Sequence, residues 1–323
     1  MTKSLRDVSL VVPVYNEVES IAELYNWCIN VLSSHKISYE ILFVDDGSDD
    51  GSWEVISALT SKDTCVKGIR FTRNYGKSAA LHMGFKTTSG STVITLDADL
   101  QDSPAEIPEL HRMIQEEGYH LVSGWKKKRK DPLEKRIPSK FFNYITRLVS
   151  GIKLHDFNCG LKAYKAEVIK NISVYGEMHR YIPLLAKWNG FKKIGEKVVD
   201  HNTRKYGRTK FGFERYIKGF LDLLSIVFVT RFNKNPMHFF GTLGTLSFAS
   251  GFFITLYVIG KKIYEIQQEL PARDVVDQPL FFMALVALII GVQLFLAGFL
   301  AEIVILNNPK KDEYLVSEKL NIE

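Results

Sequence analysis

Two aspartates one residue apart, Asp97 and Asp99, carry the clearest chemical signal in the sequence. They follow a short apolar run at residues 93–96 that predicts a buried strand. Carboxylates this close at a strand end repel each other and are costly to bury unless a divalent cation neutralises them. Their oxygens and the Gln101 amide are hard ligands that suit Mg²⁺ or Mn²⁺. A solvated turn can carry the same pair, but the pattern predicts a metal site that bridges to a diphosphate, and therefore a nucleotide-activated substrate.

The elements that would position these aspartates alternate between strands and helices over residues 8–125. The predicted strands are Val8–Val14, Ile41–Val44, Val66–Phe71 and Val93–Leu96, and the predicted helices are Val18–Leu32, Ser52–Leu59 and Lys77–Thr87. This order predicts an α/β fold with a mostly parallel, doubly wound sheet, which binds ligands beyond the carboxyl ends of its strands. Polar clusters stand at those ends, at residues 15–17, 45–48, 73–76 and 97–102. A buried sheet needs no carboxylates there, so their convergence indicates a functional site.

Several common ligand-binding patterns are absent from the sequence. Neither GxGxxG nor GxxxxGK[ST] occurs, so neither a Rossmann dinucleotide site nor a P-loop is predicted. The three cysteines, Cys28, Cys65 and Cys159, have no paired spacing, which indicates a reducing compartment and neither a zinc site nor a disulfide scaffold. We also predict no nucleic-acid partner.

Two segments near the C-terminus are apolar enough to cross a membrane. No Asp, Glu, Lys or Arg occurs in residues 237–260 or 279–301, and each run exceeds the roughly 20 residues that a bilayer requires. Two long core helices are the alternative. Lys and Arg crowd the chain before the first run and follow the second, so the positive-inside rule places both termini in the cytoplasm, with a short loop at about residues 261–278 on the far side. We therefore expect a multi-pass protein of the inner (cytoplasmic) membrane with a cytosolic catalytic domain.

Four short motifs follow one another along the first part of the chain. They are Val12-Pro13-Val14-Tyr15-Asn16-Glu17, Asp45-Asp46-Gly47-Ser48, Arg73-Asn74-x-Gly76 and Asp97-Ala98-Asp99-Leu100-Gln101-Asp102. In this order they resemble the family 2 glycosyltransferases with the GT-A fold. With two C-terminal spans, the chain is similar to the polyprenyl-phosphate members of that family, which include the bactoprenol glucosyltransferases and dolichyl-phosphate mannose synthase. The resemblance covers about residues 7–306, and the Gln-x-x-Arg-Trp signature of processive polysaccharide synthases is absent, so a polymerase is not predicted.

The resemblance implies which residues form the donor site. The nucleoside would be held by Pro13, Tyr15, Glu17, Asp46 and Asp97. The metal, Mg²⁺ or Mn²⁺, would be bound by Asp99 and Gln101, with Asp97 close to it or bound. Arg204 and Lys210 would clamp the donor diphosphate, because a departing diphosphate needs positive charge nearby. A solvated basic patch beside the membrane is the alternative for these two residues.

Basic residues are dense between Lys126 and Arg136, and an amphipathic helix is predicted after them at about residues 138–151. A basic amphipathic helix lies in the membrane interface, although an ordinary surface helix shows the same pattern. The lysines favour the interface, at roughly 1 kcal/mol per basic residue near an anionic leaflet. The resemblance places the contacts to the acceptor phosphate at Lys126, Arg136 and Ser139. A second amphipathic segment is predicted just before the first span, at residues 206–234.

The charge of a lipid phosphate acceptor predicts a mechanism. A phosphate monoester has its second pKa at about 6 and is mostly a dianion at neutral pH, so it needs no general base. We expect one in-line displacement at the anomeric carbon, which converts an α-linked donor into a β-linked product. Asp156 and Asp99 are the predicted catalytic residues; by resemblance Asp156 lies near the donor sugar and orients a hydroxyl group, and a turn-forming role is its alternative. His179 and Arg180 are further candidates for the donor site.

The predicted function is transfer of a sugar, by resemblance glucose from UDP-glucose, to polyprenyl (undecaprenyl) phosphate at the cytosolic membrane face. GDP-mannose or a modified UDP-sugar is the alternative donor. A glycerolipid hydroxyl or a protein is the alternative acceptor, and an alcohol would need a base. A non-catalytic membrane scaffold, and a homo-oligomer packed through small residues of the spans, are further hypotheses. The predicted domains are a GT-A catalytic domain at 1–205, a juxtamembrane segment at 206–234, two transmembrane helices at 235–306 and a cytosolic tail at 307–323.

Overall fold

The structure, a computed structural model, describes residues 6–127, 143–148, 150–174, 176, 178–203, 205–206, 236–271 and 273–306. The chain divides into two units, Met1–Leu224 and Ser225–Glu323. Within the described residues, the first unit contains a β-sheet flanked by helices, and the second contains two long helices.

One seven-stranded sheet forms the centre of the first unit, in the order β3-β2-β1-β4-β6-β5-β7. The strands are β1 (Val8–Val14), β2 (Tyr39–Asp45), β3 (Val66–Arg70), β4 (Thr92–Thr95), β5 (Leu121–Trp125), β6 (Lys162–Lys165) and β7 (Ile194–Val198). Strand β6 runs antiparallel to both of its neighbours, and every other pairing is parallel. The predicted α/β fold with a mostly parallel sheet is confirmed.

The helices of the first unit lie between the strands in sequence. They are α1 (Val18–Ser34), α2 (Ser52–Lys62), α3 (Lys77–Thr87), α4 (Ile107–Gln115), α5 (Ala166–Lys170) and α6 (Ile182–Trp188), with 3-10 turns at Pro104–Glu106 and Met178–Tyr181. The strands and helices that the sequence predicts over residues 8–96 all form, with ends that differ by a few residues. Crossover helices of this kind are what allow neighbouring strands to run parallel.

The central strands are buried on both faces, which explains their nearly continuous apolar sequences. Successive side chains of a strand point to opposite faces of the sheet. Leu10 of β1 therefore joins the core cluster that contains Ile21 of α1, while Val11 packs on the other face with Leu81 of α3. Gly84 lets α3 approach β1 closely, because a Cβ atom there would collide with Val11. Helices packed on both faces hold the strand ends, and the loops after them, in fixed positions.

The second unit consists of α7 (Pro236–Gln267) and α8 (Pro279–Leu306), with a 3-10 turn at Val275–Asp277 between them. The most apolar stretches of the two helices have mean hydropathies of 1.6 and 2.7, and both helices are long enough to cross a bilayer. Most of their large apolar side chains are exposed, whereas a core helix of a soluble domain would bury them. The two helices are candidate membrane spans, as the sequence predicts.

Glycines bring α7 and α8 into close contact along their length. A Cβ atom on Gly291 would lie 2.7 Å from the backbone nitrogen of Phe248, and one on Gly251 would lie 2.7 Å from the carbonyl oxygen of Ala284. Ser247 also donates a hydrogen bond of 2.8 Å across the pair. Small residues and interhelical hydrogen bonds are typical of helix pairs in membranes.

Candidate active site

The predicted polar clusters converge at one edge of the sheet. Strands β1, β2 and β4 are neighbours and run parallel, so their carboxyl ends lie side by side, with Val14 opposite Asp45 and Val11 opposite Thr95. Residues 15–17, 45–48 and 97–102 follow these three ends. This is the edge at which sheets of this type bind ligands.

The loop at residues 15–17 is held by the loop that begins at residues 45–48. Asn16 adopts a positive φ of 54°, and its backbone nitrogen donates to the Ser48 hydroxyl at 2.9 Å. The backbone nitrogen of Glu17 donates to the Ser52 hydroxyl at 3.1 Å. Tyr15, directly after β1, keeps 38% of its surface exposed. Pro13 is the neighbour of Val44 within the sheet. The structure thus places Pro13, Tyr15 and Glu17 at this edge, and their contacts with a nucleoside stay predictions.

Asp46 holds the loop at residues 73–76 against the same edge of the sheet. Its two carboxylate oxygens accept hydrogen bonds from the backbone nitrogens of Tyr75 and Gly76, at 2.7 and 2.9 Å. Burial, together with the nearby charge of Asp45, raises the pKa of Asp46 despite those bonds. Gly47, with φ +75°, is required here because a Cβ atom would lie 2.5 Å from the Arg73 carbonyl carbon. Asp46 therefore positions the loop that precedes α3, and its role in nucleoside binding stays a prediction.

Asp97 is partly exposed and pairs with a lysine that the sequence analysis did not single out. Lys77, the first residue of α3, donates from Nζ to Asp97 Oδ1 at 2.5 Å. Gly160 also adjoins the carboxylate, because a Cβ atom there would collide with it. The only sequence signal for Lys77 is its place directly after the Arg73–Gly76 motif.

Asp99 has the environment of a carboxylate that needs a cation. Burial, followed by the negative charges of Asp97 and Asp102, raises the pKa of Asp99 to about 6. A backbone hydrogen bond from Gln101, at 3.2 Å, and the charge of Lys126 partly oppose this. Leu100, between Asp99 and Gln101, has a positive φ of 60°. A divalent cation would remove the repulsion, so the pair fits such an ion.

The residues described by the structure contain no group of three or more His, Cys, Asp or Glu side chains placed to hold an ion. A cation at Asp97 and Asp99 would therefore need further oxygens, which a donor diphosphate can supply. The Gln101 side chain donates to the Asn202 carbonyl at 3.4 Å, and the Asn202 backbone nitrogen donates to the Gln101 carbonyl at 2.8 Å. Gln101 as a metal ligand stays a prediction.

Asp102, at the end of the loop at residues 97–102, forms a buried ion pair with Lys126. Asp102 is fully buried, and Lys126 Nζ lies 2.6 Å from its Oδ1. Burial raises the pKa of Asp102, but Lys126 and His201 outweigh burial and hold it below its usual range. Burial lowers the pKa of Lys126, and the charge of Asp102 more than reverses this. The structure places Lys126 within the protein beside Asp102, and its predicted contact with an acceptor phosphate stays untested.

Asp156 and His179, two further predicted site residues, are each held by hydrogen bonds within the first unit. Asp156 is buried, accepts a hydrogen bond from the Asn158 backbone nitrogen at 3.0 Å, and is anchored through its carbonyl by the Ser123 hydroxyl at 3.2 Å. His179 is held by Ser78 of α3, which lies 3.0 Å from both its Nδ1 and its backbone nitrogen. Both residues are therefore fixed in position, and their roles stay predictions.

Four predicted site residues, Arg136, Ser139, Arg204 and Lys210, lie outside the residues that the structure describes, as does most of the predicted interfacial helix; residues 143–148 are helical. The neighbours of Arg204 are anchored to α1. Lys205 Nζ and the Tyr206 hydroxyl donate to the Glu23 carboxylate, at 2.8 and 3.2 Å.

A family model described as Glycosyl transferase family 2 matches residues 9–173. Dodecaprenyl-phosphate galacturonate synthase of Rhizobium johnstonii is 35% identical over 301 residues, which cover 92% of this chain and 87% of the relative. Undecaprenyl-phosphate 4-deoxy-4-formamido-L-arabinose transferase of Shewanella sediminis is 36% identical over 254 residues, or 78% of this chain and 74% of the relative.

Two solved structures of glucosyl-3-phosphoglycerate synthase from Mycobacterium tuberculosis are similar in fold. The complex with uridine diphosphate has a TM-score of 0.51 and 21% identity, and covers 69% of this chain and 80% of that one. The complex with Mn²⁺ and UDP-glucose has a TM-score of 0.51 and 18% identity, and covers 70% of this chain and 79% of that one. At this identity the likeness shows the fold alone, a GT-A-like α/β domain.

Proposed function

The chain belongs to glycosyl transferase family 2, and from that membership we propose that this glycosyltransferase moves a sugar from a nucleotide-sugar donor to a polyprenyl phosphate. The named acceptors of the two relatives, dodecaprenyl and undecaprenyl phosphate, support this choice of acceptor. The two candidate membrane spans also support it, because the acceptor is a membrane lipid.

One observation carries the proposal: Asp97 and Asp99 stand together at the carboxyl edge of the sheet, and the negative charges of Asp97 and Asp102 lie near the partly buried Asp99. A bound Mg²⁺ or Mn²⁺ would stabilise the negative charge that develops on the departing nucleoside diphosphate. Gln101 is the further proposed ligand. Pro13, Tyr15, Glu17, Asp46 and Asp97 would surround the nucleoside, and Arg204 and Lys210 would contact its diphosphate.

The acceptor phosphate needs positive charge rather than a base. As a dianion at neutral pH, it attacks the anomeric carbon directly, and the configuration at that carbon inverts. Asp156, held by Asn158 and Ser123, would orient a hydroxyl group of the sugar. Arg136 and Ser139 would contact the acceptor phosphate. Lys126 can also contact the acceptor phosphate only if its ammonium group binds the phosphate and Asp102 at the same time.

We further propose that the catalytic domain (1–205) and both termini lie in the cytosol, with residues 206–234 in the membrane interface and two spans in residues 235–306. The tail is 307–323. The sequence predicts glucose from UDP-glucose as the donor, but the names of the two relatives give galacturonate and 4-deoxy-4-formamido-L-arabinose, so they do not support glucose.

The test uses the full chain in nanodiscs with undecaprenyl phosphate and a panel of nucleotide sugars. We expect transfer to a chloroform-extractable, acid-labile lipid that stops on chelation of divalent ions and returns with Mg²⁺ or Mn²⁺. Asp99→Ala should lower the rate at least about 100-fold, because the developing charge loses its cation. Asp200→Ala, an exposed aspartate outside the site, is the control. Chelator-insensitive transfer, or full activity of Asp99→Ala, would overturn the proposal.

A further inference from the structure

The helix at residues 143–148 has an inverted distribution of polarity. Its two buried side chains, Asn143 and Thr146, are polar, and their exposed fractions are 6% and 0%. Its two exposed side chains, Tyr144 and Leu148, are large and mainly apolar, and their exposed fractions are 62% and 73%. A helix on the surface of a soluble domain normally shows the reverse pattern. The exposed pair therefore favours an apolar environment outside this domain.

The surroundings of Tyr144 and Leu148 indicate that this environment is lipid. Arg147 stands between them on the helix, and Lys153, which follows the helix, is exposed. Tyrosine and leucine enter the boundary between headgroups and acyl chains, and arginine and lysine beside them attract anionic lipids. A protein partner is the alternative cover. Lipid is favoured because the same chain contains two candidate membrane spans, so a bilayer lies within reach of this domain.

The polar side of the helix holds a loop of the candidate site. The Oδ1 atom of Asn143 accepts a hydrogen bond from the backbone nitrogen of Phe157, at 3.3 Å. Phe157 is fully buried and directly follows Asp156. Strand β5 holds the same loop from the sheet, because the Ser123 hydroxyl donates to the Asp156 carbonyl at 3.2 Å. Loss of the Asn143 contact should therefore shift the loop without unfolding it.

The other end of this loop adjoins the predicted metal site. A Cβ atom on Gly160 would collide with the Asp97 carboxylate, and the Thr95 hydroxyl donates to the Gly160 carbonyl at 2.7 Å. The loop at residues 156–160 thus begins at the helix and ends beside Asp97. Small displacements of groups in a reaction site lower rates strongly, so the position of the helix affects transfer.

We propose that the helix at residues 143–148 docks on the bilayer through Tyr144 and Leu148, and that Asn143 is a positioning residue that transmits this docking to the loop at residues 156–160. Transfer is fast only while the helix lies on lipid. The effect on transfer rests on the proposed function. The docking and its effect on the loop do not, because both can be measured without substrate.

The first experiment measures docking with a fluorescent bimane label on the full chain, in nanodiscs that contain phosphatidylglycerol. The label is placed on Leu148→Cys, with Cys65→Ser added because Cys28 and Cys159 are already buried. Lipids that carry a quenching doxyl group should quench this label. A label on Ser34→Cys, exposed at the end of α1, is the control and should not be quenched. Equal quenching of the two labels would mean that no lipid covers the helix, which overturns the inference.

The second experiment measures hydrogen exchange of the Phe157 amide in the same nanodiscs. Tyr144→Ser/Leu148→Ser removes the apolar pair and keeps Asn143, and it should accelerate this exchange about threefold to tenfold. Asn143→Ala should do the same, whereas Asn143→Asp keeps an oxygen acceptor and should restore most of the protection. Met83→Ser, an exposed apolar side chain of α3, is the matched control. Unchanged exchange in the Tyr144→Ser/Leu148→Ser variant would overturn the coupling.

The third experiment measures transfer to undecaprenyl phosphate. Asn143→Ala should lower kcat about 10- to 100-fold and leave the affinity for UDP alone unchanged within about twofold, as measured by calorimetry. Asn143→Asp should recover most of the rate. Asn171→Ala is the control, because Asn171 is exposed and donates to the Glu167 carbonyl of its own helix.

Adding Tyr144→Ser/Leu148→Ser to Asn143→Ala should lower kcat no further, because both changes act through one contact. Losses that multiply, or an unaltered kcat in Asn143→Ala, would overturn the positioning role. If the unaltered protein transfers no sugar from any donor, the proposed function fails, and the quenching and exchange measurements still decide whether the helix docks on lipid and holds the loop.

Discussion

Three aspartates close together in sequence have three different electrostatic environments. Asp97 is partly exposed and paired with Lys77, while Asp99, also partly exposed, lies near the carboxylates of Asp97 and Asp102, and its pKa is raised to about 6. Asp102 is fully buried, and Lys126 holds its pKa below the usual range against the effect of burial. Burial and neighbouring charge, rather than residue type, therefore determine which of the three needs an added cation.

The Asp102–Lys126 pair predicts a stability effect at the residue scale. Asp102→Asn leaves a buried ammonium without its counter-charge, which should cost about 3–5 kcal/mol. Thermal unfolding of the full chain in detergent should show a midpoint lower by roughly 10 °C.

The double variant Asp102→Leu/Lys126→Met removes both charges. It should recover most of the lost midpoint, because replacing a whole buried pair by apolar groups is often close to neutral. If Asp102→Asn unfolds at the same temperature as the unaltered protein, the pair does not stabilise the fold.

At the scale of single elements, loops and helices are positioned by contacts with one another. Asp46 at the end of β2 holds the loop before α3, and Ser78 of α3 holds His179. The helices α7 and α8 approach through glycines, among them Gly244, Gly251 and Gly291. Hydrogen bonds position the loop before α3 and His179, and close backbone contacts at glycines position α7 and α8. A larger side chain at one of these glycines would break the contact.

The helix pair makes a prediction about packing. Gly291→Val should lower stability by about 1–3 kcal/mol, because its Cβ atom would lie 2.7 Å from the Phe248 nitrogen and the helices must separate. Gly260→Val is the control, since nothing lies within 4 Å of a Cβ atom there. Thermal unfolding in detergent measures both variants. Equal midpoints for the two would contradict the close packing of α7 and α8.

At the scale of the first unit, a second set of stabilising contacts lies at the edge of the sheet opposite the candidate site. The candidate site follows the carboxyl ends of the parallel strands, whereas Glu40 is buried near the start of β2. Glu40 accepts hydrogen bonds from the Ser9 hydroxyl, from Lys67 and from the backbone nitrogen of Ser89, at 2.5, 2.5 and 2.6 Å. These contacts join β1, β2, β3 and the turn before β4, so the edge away from the site can be rigid without affecting ligand access.

Glu40 makes the stability of the protein depend on pH. Burial raises its pKa, but the bonds from Lys67, Ser9 and Ser89 outweigh burial and lower the pKa to about 2. An unfolded glutamate titrates at about 4.3, so the stabilisation is complete above that pH and is lost as the pH falls towards 2.

Glu40→Gln should therefore lower the free energy of unfolding by about 1–3 kcal/mol at pH 7, and the difference from the unaltered protein should shrink between pH 4.5 and 2. Unfolding midpoints across that range measure the effect, and Glu54→Gln on the exposed side of α2 is the control. If the difference in unfolding midpoint between Glu40→Gln and the unaltered protein does not change with pH, this role for Glu40 is contradicted.

The sequence by itself determined the order of strands and helices over residues 8–96, the family, the enzyme class and the two apolar spans. These depend on periodicity, on residue runs and on motifs at strand ends, all of which are local patterns. The convergence of the motifs was also predictable, because parallel strands place their carboxyl ends at one edge.

Only the tertiary structure decided which side chains meet. Lys77 and Asp97 are 20 residues apart in sequence, and Asp46 and the backbone of Tyr75 are 29 apart, yet each pair is in contact. The antiparallel β6 brings Lys162 and Tyr164 to a small cavity that Lys77 also lines. A local pattern contains no information on such partners, since burial and pairing arise only when distant segments pack together.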